Sequence, residues 1–240
     1  MGVRIIAPER PGYGLSSPRR GRLIDYPDDV LQLADALGLE RFAAVGVSGG
    51  GPAALAAAYR LPQRLTAVGL VSAIGPLYLK DVSRDMVTPN RIILGIMGRR
   101  APALAGSALR LMLRLSMPAM LKHVENGTSP SHDLTPDTYA LVALDQNEAV
   151  RRGGQGVAYD LRNLWQPWGF DLAAITAPVH VWHGEANNLM PVTLARYVTE
   201  HLPNCRATFY PGEGHIEPLL RRPQEVLHAL VDEDVKQSIS

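Results

Sequence analysis

The chain has 240 residues, 46% of them hydrophobic, and a formal net charge of +1. That length can bury one sizeable core, and the near-neutral balance points to neither a nucleic-acid surface nor an acidic partner. One cysteine, Cys205, excludes an internal disulfide framework and fits a reducing compartment.

In chain order, residues 3–7 (VRIIA) read as a short buried strand, followed by the turn-rich loop ERPGYGLSSP. Residues 26–37 carry apolar positions at helical spacing, with Gly38 placed as a C-cap. Residues 42–47 are a second buried strand and 52–60 a helix, with Pro52 in a first turn where it removes no intrahelical bond. Residues 66–74 form a third strand. Residues 79–165 contain no convincing strand; rich in Leu, Met, Ala and Arg, they read as several helices. Alternation then resumes with a strand at 178–183, a helix at 192–202, a strand at 206–210 and a helix at 223–235. The expected architecture is α/β, a mostly parallel sheet flanked by helices, interrupted by a helical insertion. The expected division is a first core part (1–78), a helical cap (79–165) and a second core part (166–240).

Gly46-Val47-Ser48-Gly49-Gly50 lies between the second strand and its helix and fits G-x-S-x-G. A nucleophile exposed at the top of a strand needs a strained turn, and Gly46 and Gly50 remove Cβ clashes beside it. The following helix aims its N-terminal N–H groups at the site, and the Gly49 N–H is placed to stabilise an oxyanion. A dinucleotide fingerprint competes, because residues 49–54 also fit G-x-G-x-x-A. That alternative wants an acid at the end of the next strand, and none occurs before Asp81. A purely structural glycine turn is the third option.

A serine nucleophile needs a base. Of seven histidines, His215 lies on a loop at the C-terminal end of the last strand, the edge where sheet enzymes gather their chemistry. His180 and His183 lie three apart on one strand, face opposite sides and make a poor metal pair.

Four segments together resemble the α/β-hydrolase superfamily, in that family's order. They are Arg10-Pro11-Gly12-Tyr13-Gly14-Leu15-Ser16, the turn around Ser48, PVHVWHGEANNLMPV (178–192) and GEGH (212–215). The resemblance implies a Ser–acid–His triad, with Ser48 as nucleophile and His215 as general base, and matches the insertion to the family's cap. It also shows two departures. Similar sequences carry an aspartate where this chain has Asn187. An amide can accept a hydrogen bond from imidazole, yet it cannot offset an imidazolium charge and can favour the wrong tautomer. In the template triad such a swap costs roughly 10⁴-fold in turnover. Glu185 is the nearest substitute acid, with a solvated loop charge as its plainer explanation, and Asp81 is a weaker candidate. The family also carries strands ahead of the segment with which this chain starts, one of them ending in a second oxyanion donor. The expectation is therefore an N-terminally shortened member of the family.

The function these residues imply is a serine hydrolase (a carboxylic ester hydrolase) of reduced activity, acting on a small apolar ester through an acyl-enzyme on Ser48. The Leu and Met content of the cap suggests the apolar preference. The alternatives are a catalytically impaired binding protein on the same scaffold, or a cofactor-free haloperoxidase- or lyase-type enzyme. No cofactor and no metal is expected. The N-terminus has no basic segment leading into a long apolar one, and no run reaches the ~18 apolar residues of a membrane span. A cytoplasmic protein with a small-molecule substrate, no nucleic-acid partner and no membrane partner is expected, with its oligomeric state open.

Overall fold

The computed structural model describes residues 2–79, 98–126 and 135–239. The chain divides into two compact units, residues 21–92 with 163–240 and residues 1–20 with 93–162.

The first unit holds a parallel sheet in the order β1 (Phe42–Val47), β2 (Leu65–Val71), β3 (Val179–Gly184), β4 (Cys205–Tyr210). Every residue of β2 and β3 is buried, whereas β1 and β4 alternate between more and less exposed positions. Continuous apolar runs are what inner strands of a parallel sheet need, because helices cover both faces. On one face Val68, Leu70, Val179 and Val181 pack into a cluster with Leu55, Leu172 and Val198. Helices α1 (Tyr26–Ala36) and α2 (Gly51–Arg60) belong to this unit, and α2 packs on β1 and β2. On the other face Ala67, Val71 and Trp182 pack against Val226 and Leu230 of the C-terminal helix Pro223–Ile239.

The second unit contains α3 (Pro102–Glu125), α4 (Pro136–Ala149) and most of α5 (Gln155–Leu164). Ala105, Val150, Val157 and Leu161 form its core, with Tyr13 packed against them. The Arg10-Pro11-Gly12-Tyr13 loop is anchored here. The Arg10 guanidinium pairs with Asp160, and the Tyr13 hydroxyl donates to the same carboxylate at 2.7 Å. Gly12 has φ +83°, and a Cβ there would lie 2.8 Å from the Gly156 backbone nitrogen. The first unit also holds α6 (Val192–His201), α7 (Glu217–Arg221) and α8 (Pro223–Ile239).

Two expectations need correction. Residues 3–7 are not a strand: they have no regular structure, and Ile5 is 74% exposed. Their composition is strand-like, but a strand exists only where its backbone groups find a partner. Residues 2–20 also belong with the helical unit, where the sequence placed them in the α/β core. Asp81 lies outside the described residues. The four later strands and their helices agree with the sequence reading to within a few residues.

Close backbone passages fix the site end of the sheet. A Cβ on Gly46 would lie 2.6 Å from the Gly50 carbonyl oxygen and from the Gly51 Cα, so β1 passes directly beneath the head of α2. Gly51 is equally tight, 2.4 Å from the Ala73 Cβ. Gly46→Ala is therefore expected to lose about 1–3 kcal/mol of unfolding free energy from overpacking against backbone that cannot turn aside. Urea denaturation measures it; an unchanged midpoint would mean that the strand and the helix head are not in this contact.

Candidate active site

Ser48 follows β1 and leads into α2 through a 3-10 turn, Ser48–Gly50. Its φ is +49°, in the left-handed region that a residue with a side chain occupies only under local constraint. The constraint is visible. Gly46 permits the close passage below, and the Ile74 N–H donates to the Ser48 carbonyl at 3.0 Å from the loop after β2. Gly49 follows in the same turn, at a helix head whose first N–H groups lack intrahelical partners.

His215 reaches this serine from the loop after β4. Its Nε2 lies 3.1 Å from Ser48 Oγ. Two features hold that loop. Gly184, at the end of β3, lets it pass: a Cβ there would lie 2.2 Å from the Glu213 carbonyl oxygen. The Ala186 N–H donates to the same oxygen at 2.9 Å. The buried Glu213 carboxylate pairs with Arg222 at 2.7 Å, and the Arg222 guanidinium lies 3.8 Å over the Tyr210 ring.

Asn187 occupies the acid position in space as well as in sequence. It is 3% exposed, and its Nδ2 lies 3.0 Å from His215 Nδ1. Its Oδ1 accepts two backbone N–H groups, from Leu189 at 3.1 Å and Met190 at 2.8 Å. Those donors decide which end of the amide faces the histidine, because turning it over would set NH₂ against two N–H groups. The amide therefore donates to His215 Nδ1. The neutral ring then carries its proton on Nε2 and donates to Ser48 Oγ. This is the opposite of the tautomer a general base needs.

His183 is completely buried, with its Nε2 3.4 Å from Asn187 Nδ2. Its ring Nε2 lies 2.8 Å from the Met190 carbonyl and must donate to it, which leaves Nδ1 buried without a partner among the described residues. Burial pushes the His183 imidazole below its usual range. The sequence reading weighed His183 only as a metal ligand and missed this position; the one available signal was its place at the end of β3, four residues before Asn187. Burial, and secondarily the nearby His183, depress His215 to about 4. The Asn187 N–H facing Nδ1 works in the same direction, since a protonated Nδ1 would oppose it.

Glu185, the alternative acid, is turned away. Its carboxylate pairs with Arg196 at 2.8 Å on an exposed surface, and Asn187 holds the place beside the imidazole. Among the described residues no group of three or more His, Cys, Asp and Glu side chains could hold a metal ion, and no helix is long and apolar enough to cross a membrane.

Comparison with known proteins identifies the family. The uncharacterized hydrolase YcgS of Bacillus subtilis is 26% identical over 231 residues, covering 90% of this chain and 76% of its own length. The non-heme chloroperoxidase of Streptomyces lividans is 28% identical over 220 residues, covering 89% of this chain and 75% of that protein. Among solved structures, a thermophilic esterase from Thermogutta terrifontis superposes with a TM-score of 0.58 at 19% identity, over 95% of this chain and 77% of that one. The family model described as alpha/beta hydrolase fold matches residues 2–220, and the chain belongs to that family.

Proposed function

We propose that this chain is a serine hydrolase of small carboxylic esters whose turnover is held low by the amide at position 187. The observation that carries the reading is the contact of His215 Nε2 with Ser48 Oγ at 3.1 Å, on a serine held at positive φ at a strand-to-helix turn. Membership of the family and the esterase among its structural relatives support the reaction class. Small apolar acyl groups are the substrate class we assign, from the Leu and Met content of residues 79–165.

In the mechanism, Ser48 Oγ attacks the ester carbonyl, and its proton moves to His215 Nε2. The carbonyl oxygen takes the negative charge, next to the Gly49 N–H. His215 then gives the proton to the leaving alcohol, and water repeats the sequence on the acyl-enzyme. Each cycle needs the ring with its proton on Nδ1 before attack. In this chain that tautomer sets N–H against N–H at Asn187, and the imidazolium that follows has no carboxylate beside it. In the template triad the equivalent change costs roughly 10⁴-fold in turnover, about 5 kcal/mol of barrier. The relay polarity also favours a second reading, a binding protein in which Ser48 and His215 hold a ligand without turning it over.

A fluorophosphonate probe separates the two. Slow, stoichiometric labelling of Ser48, lost in His215→Ala, is expected for the hydrolase. A cooperatively folded protein that never labels would leave the binding reading.

Asn187→Asp supplies an oxygen for the backbone donors and a second to accept from Nδ1. Ester turnover is expected to rise by roughly 10³–10⁴. Nitrogen NMR of the His215 ring is expected to show the proton on Nε2 before the change and on Nδ1 after it. An unchanged tautomer would sink the explanation, whatever the rate does.

The depressed His215 value also predicts a pH dependence of stability. The folded state keeps the ring neutral down to about 4, while in the unfolded chain it titrates near its ordinary value of about 6.5. Between those values the unfolded state binds more protons. Stability is therefore fully present above about 6.5 and falls as pH drops toward 4. His215→Gln is expected to flatten that part of the curve in thermal melts. A parallel curve for the variant would show that the ring is not buried in its neutral form.

A further inference from the structure

Away from Ser48, His215 and Asn187, the core unit carries a groove of about 480 Å³, none of whose walls those residues form. That volume lies in the range of small-molecule sites. One wall is a run of rings from separate parts of the chain. Tyr78, after β2, meets Trp168 edge-on at 6.4 Å. Trp168 meets Phe170 at 5.8 Å, and Phe170 stacks on Tyr59 of α2 at 5.4 Å. Facing groups come from α6, where Tyr197 stacks on His201 at 4.0 Å. The chain has three Trp, eight Tyr and three Phe in all, so the convergence of five of these rings is a marked concentration.

Core packing explains part of it, since Trp168 is buried in the core and Phe170, Tyr78 and Tyr197 lean on it. Charge goes further. Asp171 lines the groove and is exposed, and among the described residues no Lys or Arg lines it. One Asp171 oxygen accepts the Ala173 N–H at 3.0 Å, and among the described residues the carboxylate has no ion pair. Burial, then Tyr197 and Asp171, raise the Tyr78 phenol above its usual range.

We propose that this groove binds a small organic cation, a quaternary or alkylated ammonium. Ring faces attract a cation through their quadrupole, and best when it is weakly hydrated, as an alkylated ammonium is. Asp171 supplies the counter-charge.

Choline is the probe, with 3,3-dimethylbutan-1-ol as its uncharged isostere. The full chain, labelled with ¹⁵N, is titrated with each while the Trp168 indole cross-peak, assigned by its loss in Trp168→Phe, is followed. Choline is expected to shift that peak saturably, and the alcohol to bind at least about tenfold more weakly. Asp171→Asn and Tyr197→Leu are each expected to weaken choline several-fold while the remaining indole peaks keep their positions. Ser48→Ala is expected to bind choline like the parent, which separates this site from the hydrolytic one. No saturable shift with choline, or equal binding of the alcohol, would overturn the proposal.

Discussion

Two backbone N–H groups, those of Leu189 and Met190, set the polarity of the whole relay. They claim the side-chain oxygen of Asn187 and leave its NH₂ to face His215. An aspartate could serve the turn and the histidine together, because each of its oxygens accepts. An asparagine has almost the same shape and satisfies the turn equally well, yet at one atom it exchanges an acceptor for a donor. The fold is indifferent to that exchange and the chemistry is not. His183 does not repair it. Its own proton is held by the Met190 carbonyl, so the second imidazole offers the first no negative charge.

Around that relay the structure is organised to bring backbones close. Gly46 and Gly51 bring β1 and the loop after β2 against the head of α2, and Gly184 brings the His215 loop over the end of β3. A positive φ at Ser48 costs about 1–3 kcal/mol and persists only where its surroundings over-determine it. The Ile74 N–H on the Ser48 carbonyl is one such restraint. The paired Glu213 and Arg222 hold the histidine side in the same way. The serine and the histidine are therefore placed by elements with no need of position 187, which is why an amide there leaves the 3.1 Å contact intact.

Much of this was legible in the sequence, for identifiable reasons. β2 and β3 announce themselves as unbroken apolar runs because both faces are covered, and Ser48 between glycines marks the turn. The strand expected at 3–7 failed because strand formation belongs to a pair of segments, and an apolar run such as VRIIA says nothing about its partner. The Arg10–Asp160 pair, 150 positions apart, ties that region to the helical unit, and no local pattern foretells it. The letter Asn187 was readable as a departure from an acid. The direction of its amide was not, because it depends on where two later N–H groups point in space. Glu185 was a candidate by proximity along the chain, whereas the partner its geometry gives it is Arg196.

The two functional readings proposed for this site differ in the position of one proton. With the proton on Nε2, the imidazole and the serine hydroxyl form a donor chain that ends at Oγ, and the hydroxyl hydrogen is free to meet an acceptor on a ligand. With the proton on Nδ1 the chain reverses, and the same hydroxyl becomes a nucleophile. A preference of about 1.4 kcal/mol for the first state reduces the second to roughly one molecule in ten, and each further increment of that size removes another factor of ten. Burial at His215 adds to the bias, because it disfavours the charged ring through which every productive cycle must pass. Tautomer preference and imidazolium cost therefore act in series on one barrier, the first set by the amide that the backbone of Leu189 and Met190 holds in place and the second by burial of the ring.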